Sequence, residues 1–474
     1  MMPVSIGRPD ETGRREERAR RRPASATAAG LQRRPDRKPS RRNTQVRRNA
    51  LVLAWIVVAA VLAVLIIAGP LASWGTWLPL HALLLGGIGS AITVWSAHFA
   101  DTLLHRPALG GAALLDARLY AHGAGTALVL VGITASWPVV AIAGVTIIVL
   151  AALTGVVAIS VQYRRAVAPR LAALAIHYAV ALMLLALGAV FGYLTNWAEA
   201  RGSTHLSDVF YVAHTTTMVL GFVGTTVLGT LTVLWPTMLR TKMEPEAPRW
   251  TTRGLPLLVC GTALVAASGL FSPLAVLGMI VYLAGACGVI VPGFKTARRV
   301  PPTSFATASA AAAVIWFLIG VVRIGTGIGV SALGDAGAVG QAAAAREVIH
   351  GVRVLLAAGF ALQVLAGALS YLSPVMLGGG PAATRATNAI MDRAAAYRVV
   401  AANACLALAL LTVLPWEVRM SGAVTAGAIA AYVPIGMGLS VREVVSRARK
   451  KKKGGDAATM PAGRPAAAPG APAS

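Results

Sequence analysis

Two stretches of the chain share one pattern that decides the fold: HTTTMVLGFVGTTVLGTLTVLWPTML at residues 214–239 and HGVRVLLAAGFALQVLAGALSYLSPVML at residues 350–377. Each stretch opens on a histidine, His214 or His350. The same residues then recur at the same spacing, namely Gly221-Phe222, Gly229, Leu231, Leu234, Pro236 and Met238-Leu239 against Gly359-Phe360, Gly367, Leu369, Leu372, Pro374 and Met376-Leu377. Such self-similarity is typical of an internal repeat. The two stretches are therefore predicted to be equivalent helices.

The composition surrounding this repeat is that of a membrane protein. Of 474 residues, 56% are hydrophobic, and the mean hydropathy is +0.69. Many windows exceed the roughly 18 apolar residues that a spanning helix needs. We predict an all-α, polytopic membrane protein with about twelve spans, at 50–74, 77–98, 118–136, 138–162, 170–195, 209–236, 252–270, 273–294, 304–326, 347–375, 396–414 and 420–440.

The distribution of positive charge predicts the orientation. If both termini are cytoplasmic, 38 of the 43 Lys and Arg residues fall in segments on the cytoplasmic side. Cytoplasmic loops of membrane proteins carry such an excess. The remaining five are Arg201, Arg346 and Arg419 in outer loops and Arg323 and Arg353 within spans. The chain is therefore predicted to be a multi-pass protein of the plasma membrane with both termini inside.

Two basic tails are predicted to flank a membrane domain at residues 50–440. Residues 1–49 hold 15 Lys and Arg, and residues 441–474 are basic and rich in Ala and Pro. Few large apolar residues occur in either tail, so both are expected to be disordered. The first tail is not expected to be a secretory signal, because a full-length span follows it. The net charge of +26 is expected to attract anionic lipid headgroups and not nucleic acid.

The three cysteines lie singly in predicted spans, at Cys260, Cys287 and Cys405. No Cys-x-x-Cys-His haem-attachment motif or paired zinc spacing is present in the sequence. We therefore expect them to be buried as small apolar residues.

Three histidines are predicted to lie at one depth in the membrane. His81, His214 and His350 each fall about four residues into spans 2, 6 and 10, which all run from outside to inside. An ionisable residue within a span is costly and usually faces a partner, a cofactor or a pathway. Neutral imidazole is also a common ligand of haem iron and copper. The other intramembrane histidines, His98, His122 and His177, are expected to be structural.

Three further residues fit a cofactor site. Arg323, near the outer end of span 9, and Arg353, three residues after His350, need anionic partners within the membrane. The propionates of a haem would suit both, because a guanidinium binds a carboxylate through two hydrogen bonds; snorkelling to the outer interface is the alternative. Met218 lies one turn after His214, and His with a thioether suits cuprous copper, although methionines in spans are more commonly packing residues.

This arrangement resembles subunit I of the haem–copper oxidases, including their cbb3-type members, and the related NnrS family. The likeness implies three four-helix arcs about a pseudo-threefold axis, with helices 2, 6 and 10 equivalent. Leu78-Pro79-Leu80-His81 resembles the helix-2 site that supplies an axial ligand to the low-spin haem. His214 resembles the helix-6 copper ligand, and His350 the helix-10 haem-ligand region. The resemblance covers residues 50–440 as topology.

The sequence also departs from the oxidase pattern. Helix 7 of the oxidases carries a His pair for copper, but residues 252–270 contain no histidine. Helix 10 normally carries His-x-His, where this chain has His350-Gly351-Val352. A complete oxygen-reducing binuclear centre is therefore not expected. In span 2 the repeat is weak, because Gly86-Gly87 is present but nothing matches Pro236.

The two repeat histidines are expected to serve different sites. His214 precedes its Gly-Phe pair by seven residues, whereas His350 precedes its own by nine. At about 100° per residue, the two positions differ by about 200° around a shared helix frame. One metal bound by both is therefore not expected.

The resemblance implies a membrane protein that binds haem b through His81 and His350, with Arg323 and Arg353 at the propionates and copper at His214 and Met218. Its role would lie in electron transfer, respiratory or nitrogen-oxide chemistry, or metal homeostasis, with a redox partner subunit. Two alternatives remain. One is a multi-pass transporter, since twelve helices with internal repeats also describe many carriers. The other is a non-catalytic membrane scaffold for a redox partner.

Overall fold

The computed structural model describes residues 41–166, 171–334 and 337–458, and in this part of the chain the regular structure is entirely helical. The predicted all-α class is thereby confirmed. The main helices of the described residues are α1 Arg41–Ile67, α2 Trp77–Leu104, α3 Gly111–Thr134, α4 Pro138–Arg164, α5 Ala172–Ala200, α6 Thr204–Met238, α7 Ala247–Ala267, α8 Leu274–Arg299, α9 Phe305–Ser331, α10 Ala338–Leu377, α11 Pro381–Leu410 and α12 Trp416–Lys450.

Within the described ranges, eleven helices are long and apolar enough to cross a membrane. The predicted polytopic character is confirmed, although the prediction counted twelve. The difference is α3, which has 24 residues but carries Asp116, Arg118 and His122. It occupies the position of the third predicted span and packs along α4, where Gly132 leaves no room for a Cβ beside the backbone of Ala141.

The helix ends differ from the predicted tail boundaries. Helix α1 begins at Arg41, within the predicted N-terminal tail. At the other end, helix continues to Ala458, beyond residue 440. The rest of both predicted tails, residues 1–40 and 459–474, lies outside the described residues, and so does the prediction of disorder made for them.

Helices α2, α6 and α10 form the centre of the bundle. Each of the three contacts the other two. In α2 and α6, 67% and 72% of the most apolar window is buried, compared with 11% in α1. The burial of α2 and α6 agrees with the expectation that they line the interior, whereas α10, at 56%, is buried as much as α5.

Each of these central helices contains a π-helical segment. The segments are Ala82–Ile88 in α2, Thr217–Gly224 in α6 and Leu355–Leu362 in α10. The second and third occupy identical positions in the sequence repeat. The π-helix, with hydrogen bonds from residue i to i+5, is rare and frequently found at functional sites. The segment in α2 reveals a third copy of the repeat, which the sequence showed only weakly.

A glycine in each π segment allows a neighbouring helix to pack closely against it. An added Cβ would lie 2.5 Å from Trp55 of α1 at Gly86, 3.1 Å from Leu184 of α5 at Gly221 and 2.7 Å from Trp316 of α9 at Gly359. The close approaches therefore pair α1 with α2, α5 with α6 and α9 with α10. The same helix pair recurs three times at a spacing of four helices.

Two π segments receive a hydrogen bond at the same position, the residue before the glycine. The Nε2–H of His122 donates to the Leu85 carbonyl at 2.9 Å. The hydroxyl of Tyr282 in α8 donates to the Leu220 carbonyl, also at 2.9 Å. In α2 the Gly89 N–H bonds to the carbonyls of residues 84 and 86 and passes over that of Leu85. His122 therefore has the structural role that the sequence predicted.

Candidate functional site

The most distinctive polar feature inside the bundle is a pair of histidines. The rings of His81 in α2 and His214 in α6 are parallel within 7°, and their centroids are 6.1 Å apart. Both side chains are partly buried. His81 directly precedes its π segment, and His214 lies three residues before the equivalent segment. The repeated helix feature thus places both imidazoles on the N-terminal side of the π segments in their helices.

Hydrogen bonds fix the orientation of both imidazoles. Nδ1 of His81 lies 2.9 Å from the Trp77 carbonyl, and Nδ1 of His214 lies 2.8 Å from the Gly188 carbonyl. A carbonyl only accepts, so in each neutral ring Nδ1 carries the proton and Nε2 keeps a free lone pair. Metal-ligating histidines are held in this way, with the second nitrogen donating to a carbonyl or carboxylate.

Packing against small and aromatic residues holds the pair in place. Trp77 stacks on His81 with ring centroids 4.4 Å apart. In α5, a Cβ on Gly192 would lie 2.8 Å from Nδ1 of His214, and one on Gly188 would lie 2.7 Å from the sulfur of Met218. Gly188 and Gly192 were not predicted from the sequence as site residues, although glycines four residues apart commonly mark close helix contacts in membranes.

His350 is not part of the pair. Its side chain is partly buried on α10, with Glu347 and Arg353 as charged neighbours. Among the described residues its ring stacks with no other aromatic ring. In the structure the ring of His81 lies beside that of His214. The sequence had predicted that His81 would pair with His350. The different surroundings of His214 and His350 agree with their two-residue offset in the repeat.

The two intramembrane arginines have different environments. Arg353 is partly buried and lies near Tyr211 of α6. Arg323 is exposed on α9, as are its neighbours Val322 and Thr326. Arg323 thus lies on the periphery of the bundle. This position agrees with the snorkelling alternative and not with a role beside a haem held by the histidines.

An ionic cluster that the sequence did not reveal joins the C-terminal end of α5 to the N-terminal parts of α6 and α10. The guanidinium of Arg346 donates to Glu199 at 2.9 Å and to Asp208 at 3.0 Å. It also donates to the Ser207 hydroxyl at 2.9 Å and lies 4.7 Å from the Tyr211 ring centroid. The cluster ties together the helices that carry His214 and His350.

The donors near the pair set limits on any bound metal. Within the described residues, no group of three or more His, Cys, Asp or Glu side chains is close enough to share a metal ion. The expected burial of the three cysteines is wrong, because Cys260 and Cys287 are exposed and Cys405 is only partly buried. They occupy outward-facing positions on their helices. A metal at this site would therefore rely on two imidazoles.

Comparison with known proteins gives no relative that names a function. No protein-family model matches the chain, and no curated protein matches it. The proposed function therefore rests on the geometry of the histidine pair.

Proposed function

We propose that this chain is a multi-pass membrane metalloprotein of redox function, with His81 and His214 as its metal ligands. The observation that supports this is the parallel pair with both Nε2 lone pairs free. Zinc–imidazole bonds are about 2.0–2.1 Å long, so two rings that bind one metal from opposite sides would have centroids roughly 6 Å apart. The observed separation is 6.1 Å.

Haem b is the leading candidate cofactor. Two axial imidazoles suit a low-spin haem iron, which supplies one-electron transfer when bound. Of the two arginines that the sequence assigned to the propionates, Arg353 remains suitable, since it is partly buried and no carboxylate lies within 4.0 Å of it among the described residues. Of the residues predicted to bind haem, His81 and Arg353 are therefore retained, and His214 takes the place of His350 as a ligand.

Copper is the second candidate, and the position of Met218 favours it. The Met218 sulfur and the His214 imidazole both lie against Gly188. Two imidazoles and a thioether are donors that cuprous copper prefers. A copper-loaded protein would act in metal homeostasis or electron transfer.

The setting of the pair favours electron transfer over oxygen reduction. Both histidines lie at the outer end of central helices, and helix 7 supplies no histidine for a binuclear centre. A cofactor near one membrane surface can exchange electrons with a redox partner subunit there. We therefore place the protein in respiratory or nitrogen-oxide chemistry of the plasma membrane, with both termini cytoplasmic.

The decisive experiment combines metal analysis and absorption spectra of the detergent-purified protein, oxidised and dithionite-reduced. A Soret band with stoichiometric iron identifies haem, whereas copper without that band identifies the second candidate. His81→Ala and His214→Ala should each abolish the signal. His350→Ala is the matched control and should retain it. Protein expressed with ample haem and copper that carries neither would contradict the proposal and favour the transporter or scaffold alternatives.

A further inference from the structure

A groove runs between α7 and α8 at the ends of these helices nearest the 239–246 connection. It has a volume of about 420 Å³, and its walls include Trp250, Leu257, Ala284 and Val291. Trp250 is 59% exposed. Tryptophan is enriched at the membrane–water interface. The groove therefore leads from the interface into the apolar zone of the bilayer.

The charges at the mouth of this groove leave two cations unpaired. Glu244 is bound by Arg299 at 2.6 Å, and Glu246 by Arg249 at 3.5 Å. Both glutamates are thus neutralised. Arg253 and Lys295 also line the mouth, where both are exposed, and neither has a carboxylate within 4.0 Å among the described residues. The mouth therefore presents two positive charges.

A second apolar groove follows the other side of α8. Its volume is about 360 Å³, and it lies between α6, α8 and α9. Phe294 and Ile315 line it and are 64% and 59% exposed. Both grooves are lined by Glu244, Ala247 and Pro292. The two apolar grooves thus begin at the same basic mouth, and α8 separates them.

We propose that this double groove binds one anionic glycerophospholipid. Its phosphate lies between Arg253 and Lys295, because both side chains donate charge-assisted hydrogen bonds to phosphate oxygens. One acyl chain lies in each groove, on either side of Pro292. Basic pockets between helices on the cytoplasmic side of a membrane bind lipid headgroups in this manner.

The test compares two lipids with identical acyl chains, phosphatidylglycerol and phosphatidylcholine. Full-length protein in detergent is titrated with each lipid, and retention is measured by native mass spectrometry. We expect one phosphatidylglycerol to be retained in preference to phosphatidylcholine. Each basic residue near the headgroup contributes about 1 kcal/mol, which corresponds to roughly fivefold in affinity. Arg253→Gln with Lys295→Gln should therefore weaken retention roughly 25-fold.

The matched control is Arg298→Gln, which removes an exposed charge from the same end of α8 outside the groove. It should leave retention unchanged. Equal retention of both lipids would overturn the anionic-headgroup site in favour of apolar packing alone. An equal loss in the control would instead favour general surface attraction. Maleimide labelling of Cys287, which lines the groove, tests the acyl-chain position in a variant lacking Cys260 and Cys405. Phosphatidylglycerol should slow this labelling, and an unchanged rate would contradict the proposed chain position.

Discussion

Gly192 of α5 and His214 of α6 are so close that a Cβ added to the glycine would lie 2.8 Å from Nδ1 of the imidazole. The absent side chain lets the ring reach the Gly188 carbonyl one turn earlier on the same helix. The position of the His214 ring therefore depends on Gly188 and Gly192 of α5 as well as on the residues of α6.

Gly192→Ala should move the His214 ring and weaken metal binding. Loss of a hydrogen bond that orients a metal ligand typically costs 10- to 100-fold in metal affinity. We expect a loss of this size in iron or copper retention, measured by metal analysis after dialysis against a chelator. Gly427→Ala is the control, because a Cβ there meets nothing within 4 Å. Unchanged retention in the Gly192 variant would show that the pair does not hold the metal.

Tyr282→Phe should destabilise the protein without changing the metal site. The variant leaves the buried Leu220 carbonyl without its donor, and an unsatisfied buried group costs about 1–3 kcal/mol. The expected result is a lower midpoint of thermal unfolding in detergent with metal content retained. Tyr397→Phe, at an exposed position, should leave the midpoint unchanged. An equal midpoint for both variants would mean that the hydroxyl contributes nothing to the π segment.

Arg346→Gln should loosen the outer ends of α5, α6 and α10. Asp208 is only 13% exposed in the ion pair, and removing the partner of a largely buried charge is destabilising, by about 1–3 kcal/mol or more. The unfolding midpoint should fall, and by less at high salt, where charge interactions are screened. Arg323→Gln is the control, since Arg323 is exposed. A fall in metal retention in that control would restore Arg323 to the cofactor site.

Cysteine labelling of intact cells checks the predicted orientation. In a variant without native cysteines, a cysteine at Ser203 should react with a membrane-impermeant maleimide, because the α5–α6 connection is predicted to face outward. A cysteine at Ala458 should react only after the cells are lysed. Labelling of position 458 in intact cells would reverse the orientation.

The sequence was sufficient to predict the helices and their central trio. Long apolar windows gave the helix positions, and the His214 and His350 repeat identified α6 and α10 as equivalents. The weaker α3 was also located, although Asp116 and Arg118 make it less apolar than the others. The predicted outer position and equal depth of these histidines stay predictions, since His81 is the fifth residue of α2 whereas His214 is the eleventh of α6.

The pairing of the histidines was not predictable in the same way. Rotation about the helix axis depends on neighbouring helices and on the π segments, which have no marked sequence signal. Trp77, Gly188 and Gly192 decide which imidazoles meet, and each reads in the sequence as an ordinary apolar or small residue. Likewise, nothing near Tyr282 indicates that its hydroxyl reaches Leu220.

Each π segment sets how the histidine-bearing part of its helix is rotated relative to the rest of that helix. A single inserted or deleted residue turns everything on one side of it by about 100°. Removing one residue from Ala82–Ile88 would therefore swing His81 away from α6 while the inner end of α2 keeps its packing. Inserting or deleting one residue would therefore change the relative orientation of the two histidines without altering the packing of the rest of the bundle.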